Sequence, residues 1–166
     1  MIADEPIYSI TSKITTTLLP KHPTFSYLGI DLSADMIRAA EQRHSGHPQA
    51  RFMIATEPDR VADYGVASGI FRDCLFRQFL YLRLGRTDTG CHHHLGATLD
   101  VLDRTSRRGF AFNCLTAYSD EEKKRDDLYY PDPCILFDLC KRRYSRQVAL
   151  LHDYGLYDFT ILVRKL

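Results

Sequence analysis

The sequence has almost no net charge. Its 22 lysines and arginines are offset by 21 aspartates and glutamates, so the formal net charge at pH 7 is +1. The basic residues are also scattered along the chain. A protein that attracts nucleic acid or an anionic membrane through its electric field needs a basic patch. We therefore expect neither nucleic acid nor a membrane among the partners of this chain.

Long apolar runs are missing as well. No stretch approaches the roughly 20 apolar residues of a transmembrane helix, and residues 1–20 lack the cationic start and apolar core of a signal peptide. The sequence therefore predicts a cytoplasmic protein. Its 166 residues, 45% hydrophobic and 26% charged, suit one domain with a hydrophobic core. We expect that domain to cover residues 1–166, with a divergent segment at 1–24.

The sequence also lacks paired cysteines. Its five cysteines form no Cys-x-x-Cys motif and no regular spacing, which argues against a disulfide framework. We expect reduced thiols, with Cys114 and Cys140 packing as small hydrophobic groups in a strand and on a helix face. The consecutive histidines His92–His94 do not predict a metal site, because adjacent side chains do not converge on one ion. We expect a solvated loop there, just before a helix.

What the sequence does contain is a strand followed by a helix, from Phe25 to Arg43. Phe25–Ile30 is apolar, rich in β-forming residues and ends abruptly at Asp31, as a buried strand of a parallel sheet does. Ser33 stands where an N-cap is expected, and Asp35 falls in the first turn, where the helix dipole favours a carboxylate. A carboxylate at the tip of a parallel strand can accept the hydroxyl hydrogens of a ribose. Asp31 is therefore the first candidate site residue.

Further strands and helices alternate along the chain. Apolar, β-rich runs predict strands at Arg51–Thr56, Ala62–Gly69 and Phe110–Leu115. Between the last two, leucines at helical spacing predict a covering helix with a basic last turn that Gly109 terminates. This alternation is typical of an α/β domain with a parallel sheet.

A long polar connection, Thr116–Asp132, follows the run at Phe110–Leu115. In α/β enzymes a loop this long after a strand end commonly binds substrate. Asp132 and Pro133 then predict an N-cap and the first turn of a helix. The apolar face of that helix is expected to comprise Ile135, Leu136, Leu139 and Cys140.

The chain closes with two predicted strands, Val148–His152 and Asp158–Val163. The link between them is so short that only an antiparallel pair can form. We therefore expect a three-layer, Rossmann-like α/β domain whose mostly parallel sheet carries a C-terminal antiparallel hairpin.

The order of these elements resembles the class I S-adenosylmethionine-dependent methyltransferases. GIDLSADMIRAAEQR at 29–43 resembles the family's second strand and following helix, and ADYGVASGIF at 62–71 resembles its fourth strand. RQVALLHDYGLYDFTILVRK at 146–165 resembles its closing hairpin. The resemblance implies S-adenosylmethionine as the cofactor and methyl transfer to an acceptor, which we expect to be a small molecule.

The resemblance also implies roles for residues at the strand tips. In the family an acidic residue at the tip of the second strand holds the cofactor's ribose, which implies Asp31. The tip of the fourth strand lies beside the transferred methyl group, where the small Gly69 leaves room for substrate. The implied cofactor-binding residues are Asp31, Leu32, Met36, Thr56, Glu57, Ser68 and Gly69, and the residues expected to bind substrate are Asn113, Tyr129 and Tyr130.

Several of these residues have a structural interpretation too. Gly69 equally suits a tight turn, and Glu57 suits a solvated loop as well as an adenine contact. Asn113 can satisfy turn amides, and Tyr129 and Tyr130 can pack against the fold. No residue stands out as a general base.

The family's glycine-rich turn is absent. Its glycines let the backbone approach the cofactor closely, but this sequence has no glycine before Gly29. The resemblance therefore implies an N-terminus that is shortened or altered. We expect S-adenosylmethionine to bind with a dissociation constant above about 100 μM, or not at all.

The same loss leaves neighbouring strands in need of a hydrogen-bonding partner. One solution is a substitute strand at Ile7–Thr11, which crosses back to Phe25 through Ser12–Thr24. The other is a second copy of the chain that covers the gap in a homodimer.

Two functional interpretations remain open. The first is S-adenosylmethionine-dependent methyl transfer. The second is a non-catalytic methyltransferase-like domain that acts as a binding or interaction module, which the missing glycine turn favours. A nicotinamide-dependent oxidoreductase shares the ribose carboxylate, but its glycine fingerprint is absent and its sheet is usually all parallel.

Overall fold

The computed structural model of the chain describes residues 7–9, 26–71 and 90–165, those at 7–9 and 90–94 by their backbone. In this described part seven strands form one sheet, and three α-helices lie between them in the sequence. The strands are β1 (Ile7–Ser9), β2 (Tyr27–Asp31), β3 (Ala50–Ile54), β4 (Ala62–Ala67), β5 (Ser106–Leu115), β6 (Gln147–Leu151) and β7 (Asp158–Arg164). The helices are α1 (Ala34–Arg43), α2 (Gly90–Thr105) and α3 (Pro133–Arg143), with a 3-10 turn at Glu121–Lys123. No helix in the described part is long and apolar enough to cross a membrane.

The sheet order is β3-β2-β1-β4-β5-β7-β6. Strands β1 to β5 are parallel, whereas β7 runs antiparallel to both β5 and β6. The predicted antiparallel closing hairpin is therefore confirmed. Mixed sheets of this kind place the carboxyl ends of the five parallel strands along one edge.

The strand β1 lies inside the sheet, between β2 and β4. Ile7–Ser9 pairs in parallel with β2 on one side and with β4 on the other. This confirms that the N-terminal segment itself supplies a substitute strand. The proposed crossing through Ser12–Thr24 lies outside the described residues.

Helices cover the two faces of the sheet at different strands. The C-cap residue of α1, His44, stacks on Phe52 of β3 at 5.7 Å between ring centroids. The larger core lies on the opposite face, where α2 and α3 pack against β4, β5 and β7. Its buried residues include Phe110, Phe112, Leu99, Leu136, Cys140, Phe159 and Ile161.

The helix α1 begins as the sequence predicts. The side chain of Ser33 accepts a hydrogen bond from the Met36 amide at 3.3 Å, which satisfies one of the free donors of the first turn. Asp35 lies in that turn and pairs with Arg38 at 3.0 Å. Ile37 is buried against the sheet.

The junction between α2 and β5 differs from the prediction in two ways. The helix begins at Gly90, so it includes His92–His94, which we expected in a loop. It ends at Thr105, and β5 begins at Ser106. Gly109 therefore terminates no helix. It lies in the strand, where a Cβ atom would stand 2.3 Å from the carbonyl oxygen of Val163 in β7, so the close approach of two backbones requires glycine here.

The helix α3 confirms its predicted start and most of its buried face. Asp132 accepts a hydrogen bond from the Cys134 amide at 2.7 Å, and Pro133 follows it in the first turn. Leu136 and Cys140 are buried. The prediction for Ile135 is wrong: its side chain is 63% exposed, because it points away from the stripe that faces the sheet.

The end of the chain is anchored to the α2–β5 junction by Lys165. Its Nζ atom pairs with Asp103 Oδ1 at 2.8 Å and donates to the carbonyl oxygens of Ser106, at 3.0 Å, and of Asp103. Changing Lys165 to methionine keeps the aliphatic stem but removes these bonds. We expect the free energy of unfolding to fall by about 1–2 kcal/mol, since the site is half-buried. Urea denaturation measures this, with the exposed Lys123→Met as the control, expected within about 0.5 kcal/mol of the parent.

Candidate active site

The candidate site residues lie along the edge formed by the carboxyl ends of the parallel strands. Asp31 ends β2, Ser68 and Gly69 follow the end of β4, and Asn113 lies near the end of β5. Strand β1 separates β2 from β4, so the tips of those two strands are about 10 Å apart. The tips of β4 and β5 are neighbours.

Asp31 is half-buried and its carboxylate has a defined orientation. Its Oδ1 atom accepts a hydrogen bond from the Ser33 amide at 2.8 Å, and Ser33 in turn caps α1. Within the described residues no cation pairs with the carboxylate. Oxygen lone pairs of Asp31 are therefore still available to accept hydrogen bonds from a ligand.

Three exposed apolar residues lie close to Asp31 in the sequence or in the sheet. Leu32 and Met36, both predicted to bind cofactor, are 54% and 48% exposed at the start of α1. Ile54, which the sequence analysis missed, is directly opposite Asp31 in the β2–β3 pairing and is 57% exposed. The sequence pattern that could have identified Ile54 is the alternation of side chains between the two faces of β3, which places Ile54 on the same face as Phe52. Three exposed apolar side chains beside one carboxylate suit a ligand that is polar at one end and flat and apolar at the other.

Thr56 and Glu57 lie in the connection from β3 to β4. Thr56 is exposed in a bend. Glu57 pairs with Arg104 in the last turn of α2. The carboxylate of Glu57 therefore has a partner within the fold, and the structure does not bring it together with Asp31.

Asn113 joins the tips of three strands. Its Oδ1 atom accepts a hydrogen bond from the Gly69 amide at 2.9 Å, and its Nδ2 atom donates to Asp158 Oδ2 at 3.0 Å. Gly69 has a φ angle of +76°, which favours glycine in this turn. The side chain of Asn113 thus holds the turn after β4 against the first residue of β7. Both of its polar ends already have a partner in the protein.

Replacing Asn113 by alanine removes both hydrogen bonds across the tips of β4, β5 and β7. We expect the free energy of unfolding to fall by about 1–2 kcal/mol, because the Gly69 amide and the Asp158 carboxylate each lose a partner. Thermal or urea unfolding followed by circular dichroism measures the change. The control is Gln147→Ala on the exposed edge strand β6, which is expected to stay within about 0.5 kcal/mol. Equal effects of the two changes would contradict the bridging role.

The two tyrosines predicted to bind substrate lie in the loop between β5 and α3, and both contact other parts of the protein. Tyr129 packs, partly buried, against the large hydrophobic core. The hydroxyl of Tyr130 accepts a hydrogen bond from the Arg125 amide at 3.1 Å. These contacts give both side chains a structural role, and their substrate role stays a prediction.

A second group of aromatic residues at this edge was missed by the sequence analysis. We call Tyr118, His152, Tyr154 and Tyr157, which lie in the loop after β5 and in the loop between β6 and β7, the aromatic cluster. The ring centroids of Tyr118 and His152 are 5.9 Å apart, and the Thr116 amide donates to the carbonyl oxygen of Tyr157 at 3.1 Å. The cluster therefore spans the loop after β5 and the loop between β6 and β7, which the antiparallel pairing of β5 with β7 brings together.

Among the described residues, the buried cysteines and the metal-binding side chains add no further group to this edge. Cys114 and Cys140 are buried as predicted. Burial raises the pKa of the Cys140 thiol to about 12 and raises the pKa of Cys114 further, so neither is a thiolate at neutral pH. The described residues contain no group of three or more metal-binding side chains. The side chains of His92–His94 lie outside the described part.

The sheet order, the antiparallel β7 and the acidic tip of β2 define a methyltransferase-type α/β fold. Solved structures agree. The methyltransferase domain of bacterial CtHen1 superposes with a TM-score of 0.65 at 13% identity over 99% of this chain and 91% of that one. Magnesium protoporphyrin IX methyltransferase of Synechocystis PCC 6803, solved with bound S-adenosylmethionine, superposes with a TM-score of 0.65 at 10% identity, over 98% and 70% of the two chains.

Sequence comparison then identifies the family. No family model matches the chain. However, it is 61% identical over 139 residues to "Putative methyltransferase Rv1506c" of Mycobacterium tuberculosis, a match that covers 84% of this chain and 78% of that protein. The chain belongs to the class I S-adenosylmethionine-dependent methyltransferases.

Proposed function

We propose that the chain binds S-adenosylmethionine at the edge marked by Asp31 and transfers its methyl group to a small-molecule acceptor. The observation that carries this proposal is the oriented, half-buried carboxylate of Asp31 at the tip of β2, in a chain of this family. A structural neighbour, the N-terminal domain of EvdMO1, was solved with S-adenosylhomocysteine bound and superposes with a TM-score of 0.67 at 16% identity over 97% of this chain and 74% of that one.

The residues around Asp31 fit the cofactor chemically. The carboxylate can accept hydrogen bonds from the ribose hydroxyls, and its Oδ1 atom is held in place by the Ser33 amide. Leu32, Met36 and Ile54 offer exposed apolar surface to the adenine ring. Glu57 has less support as an adenine ligand, because it is paired with Arg104.

The chemistry of methyl transfer needs little from side chains. When bound, S-adenosylmethionine would supply the methyl group of its sulfonium. A lone pair of the acceptor would form a bond to the methyl carbon, and the electrons of the broken carbon–sulfur bond would return to sulfur. The protein's contribution is to hold the acceptor in line with that bond and close to it. A proton lost from an O–H or N–H acceptor can pass to water.

The turn after β4 is suited to the reacting end of the site. Two strand positions separate it from Asp31. A Cβ atom built on Gly69 meets no atom of the described residues within 4 Å, and glycine places no side chain of its own in that space. We assign Asn113 a positioning role here, because its side chain holds the Gly69 amide.

Binding is expected to be weak. The sequence before Gly29 contains no glycine, so close backbone contacts to the amino-acid part of the cofactor are not expected there. We predict a dissociation constant above about 100 μM for S-adenosylmethionine. Isothermal titration calorimetry with S-adenosylmethionine and S-adenosylhomocysteine measures it, and micromolar binding would contradict this prediction.

The same titration tests the proposed function itself. Heat that saturates with S-adenosylhomocysteine, and that is reduced in Asp31→Ala, supports the site. If neither ligand binds at millimolar concentration, the proposed function is wrong and the chain is a methyltransferase-like binding module.

A further inference from the structure

The aromatic cluster lies on the same sheet edge as the proposed cofactor site. One of its loops follows the end of β5, and the other leads into the start of β7. Leu115 at the end of β5 is paired directly with Asp158 at the start of β7. Asp158 also accepts from Asn113, which holds the turn after β4. The cluster is therefore continuous with the part of the edge where we propose that the methyl group is transferred.

The rings of the cluster are exposed, and two of the four residues are anchored by their hydroxyls. Tyr118 is 67% exposed, Tyr157 45% and Tyr154 40%. The hydroxyl of Tyr157 donates to Asp120, and that of Tyr154 shares a hydrogen bond of 3.0 Å with the Thr160 hydroxyl. Anchored aromatic rings lose little conformational entropy when a ligand covers them.

The turn that carries Tyr118 is held by hydrogen bonds to two buried residues. The Tyr118 amide donates to the Thr116 hydroxyl at 3.2 Å, and the Ser119 hydroxyl donates to the Thr116 carbonyl at 2.8 Å. Thr116 and Ser119 are buried. Two buried polar residues therefore hold the turn that carries the exposed ring of Tyr118. An aromatic ring held on such a turn beside the proposed site can stack on a flat ligand.

Charge around the cluster is negative. The segments 116–128 and 152–158 contain seven carboxylates and three lysines or arginines. Two of the basic side chains are already paired, Lys124 with Glu121 and Arg125 with Asp127. The carboxylate of Asp120 raises the pKa of Tyr157 through their hydrogen bond. An anionic ligand is repelled by such a surface, whereas tyrosine faces and carboxylates together attract a cation.

We infer that the aromatic cluster binds the methyl acceptor, and that the acceptor is a planar aromatic molecule that is cationic or uncharged. This inference rests on the proposed function, since it identifies the acceptor of that reaction. The acceptor's ring stacks on Tyr118 and its neighbours, and its nucleophilic atom points toward the turn at Gly69. Methyl transfer then requires only that this atom carries a free lone pair.

The test uses three naphthalene probes that differ in charge. Saturation-transfer difference NMR is recorded on the full chain with 2-naphthylmethylamine, 2-naphthol and 2-naphthoate. We expect the amine to bind best, the naphthol less well and the naphthoate least. Naphthoate binding as well as the amine would overturn the assignment of charge.

Two pairs of variants locate the binding. Tyr118→Ala removes a ring of the cluster, and Leu156→Ala removes a 64%-exposed apolar side chain in the loop between β6 and β7. As controls, Tyr64→Ala and Ile135→Ala remove an exposed tyrosine in β4 and an exposed aliphatic side chain in α3. We expect amine binding to weaken about 3- to 10-fold in the first pair and to stay unchanged in the second. Circular dichroism verifies that each variant is folded. Equal binding by Tyr118→Ala and the parent would overturn the inference.

Titration with S-adenosylhomocysteine separates this inference from the proposed function. If S-adenosylhomocysteine binds and the amine does not bind at the cluster, the inference fails and the proposed function stands. If the amine binds at the cluster but neither S-adenosylmethionine nor S-adenosylhomocysteine binds, the proposed function fails and the acceptor role of the cluster fails with it.

Discussion

Replacing Asp31 by alanine is expected to weaken the binding of S-adenosylhomocysteine by about 10- to 150-fold. A hydrogen bond to a charged group contributes about 1.5–3 kcal/mol, and in the proposed complex the carboxylate accepts from the ribose hydroxyls. The change leaves the Ser33 cap of α1 in place, so the helix start is retained. Calorimetry on the parent and an NMR titration on the variant cover the range from about 100 μM to tens of millimolar that this comparison needs.

Two further variants separate the role of the Asp31 charge from a general effect on the helix. Asp31→Asn keeps an oxygen for the Ser33 amide but removes the charge, and it is expected to bind with intermediate affinity. Asp35→Ala removes an exposed carboxylate from the first turn of the same helix and is expected to bind like the parent. If Asp35→Ala loses as much affinity as Asp31→Ala, the ribose role of Asp31 is wrong.

Replacing Phe112 by alanine is expected to lower the free energy of unfolding by about 3–5 kcal/mol. Phe112 is 1% exposed in β5. It packs edge-on against Phe71, with 5.8 Å between the ring centroids, so the change removes apolar contacts and leaves a cavity that a close-packed core cannot fill. Urea denaturation followed by fluorescence of the tyrosines measures the loss.

The size of the removed side chain provides the control. Phe112→Leu fills part of the cavity and is expected to cost clearly less than Phe112→Ala. Ile135→Ala, on the exposed side of α3, is expected to change stability by no more than about 0.5 kcal/mol. A loss below 1 kcal/mol for Phe112→Ala would mean that the core on this face is not packed as described.

Much of the fold could be predicted because its signals are local. The starts of α1 and α3 depend on Ser33 and on Asp132 with Pro133, and each cap acts within one turn of the helix. The antiparallel hairpin could be predicted because the connection between the last two strands is too short for a parallel crossover. The position of Asp31 at a strand tip followed from where an apolar run stops and a helix begins.

Other boundaries could not be predicted from neighbours in the sequence. Arg107 and Arg108 before Gly109 look like the basic end of a helix, yet they lie in β5. The strand forms there because β4 pairs with Ser106 and β7 pairs from Gly109 onward. Those partners are distant in the sequence, and the close approach of Val163 to Gly109 has no local signal.

The sequence by itself determined the class of fold, the family and the carboxylate at the tip of β2, since each depends on short-range patterns of apolar, capping and acidic residues. Only the tertiary structure decided which polar groups remain available to a ligand. It paired Glu57 with Arg104, engaged Asn113 on both sides, and brought Tyr118 next to His152. The physical reason is that these contacts join residues far apart in the chain, and their formation depends on the strand order of the sheet.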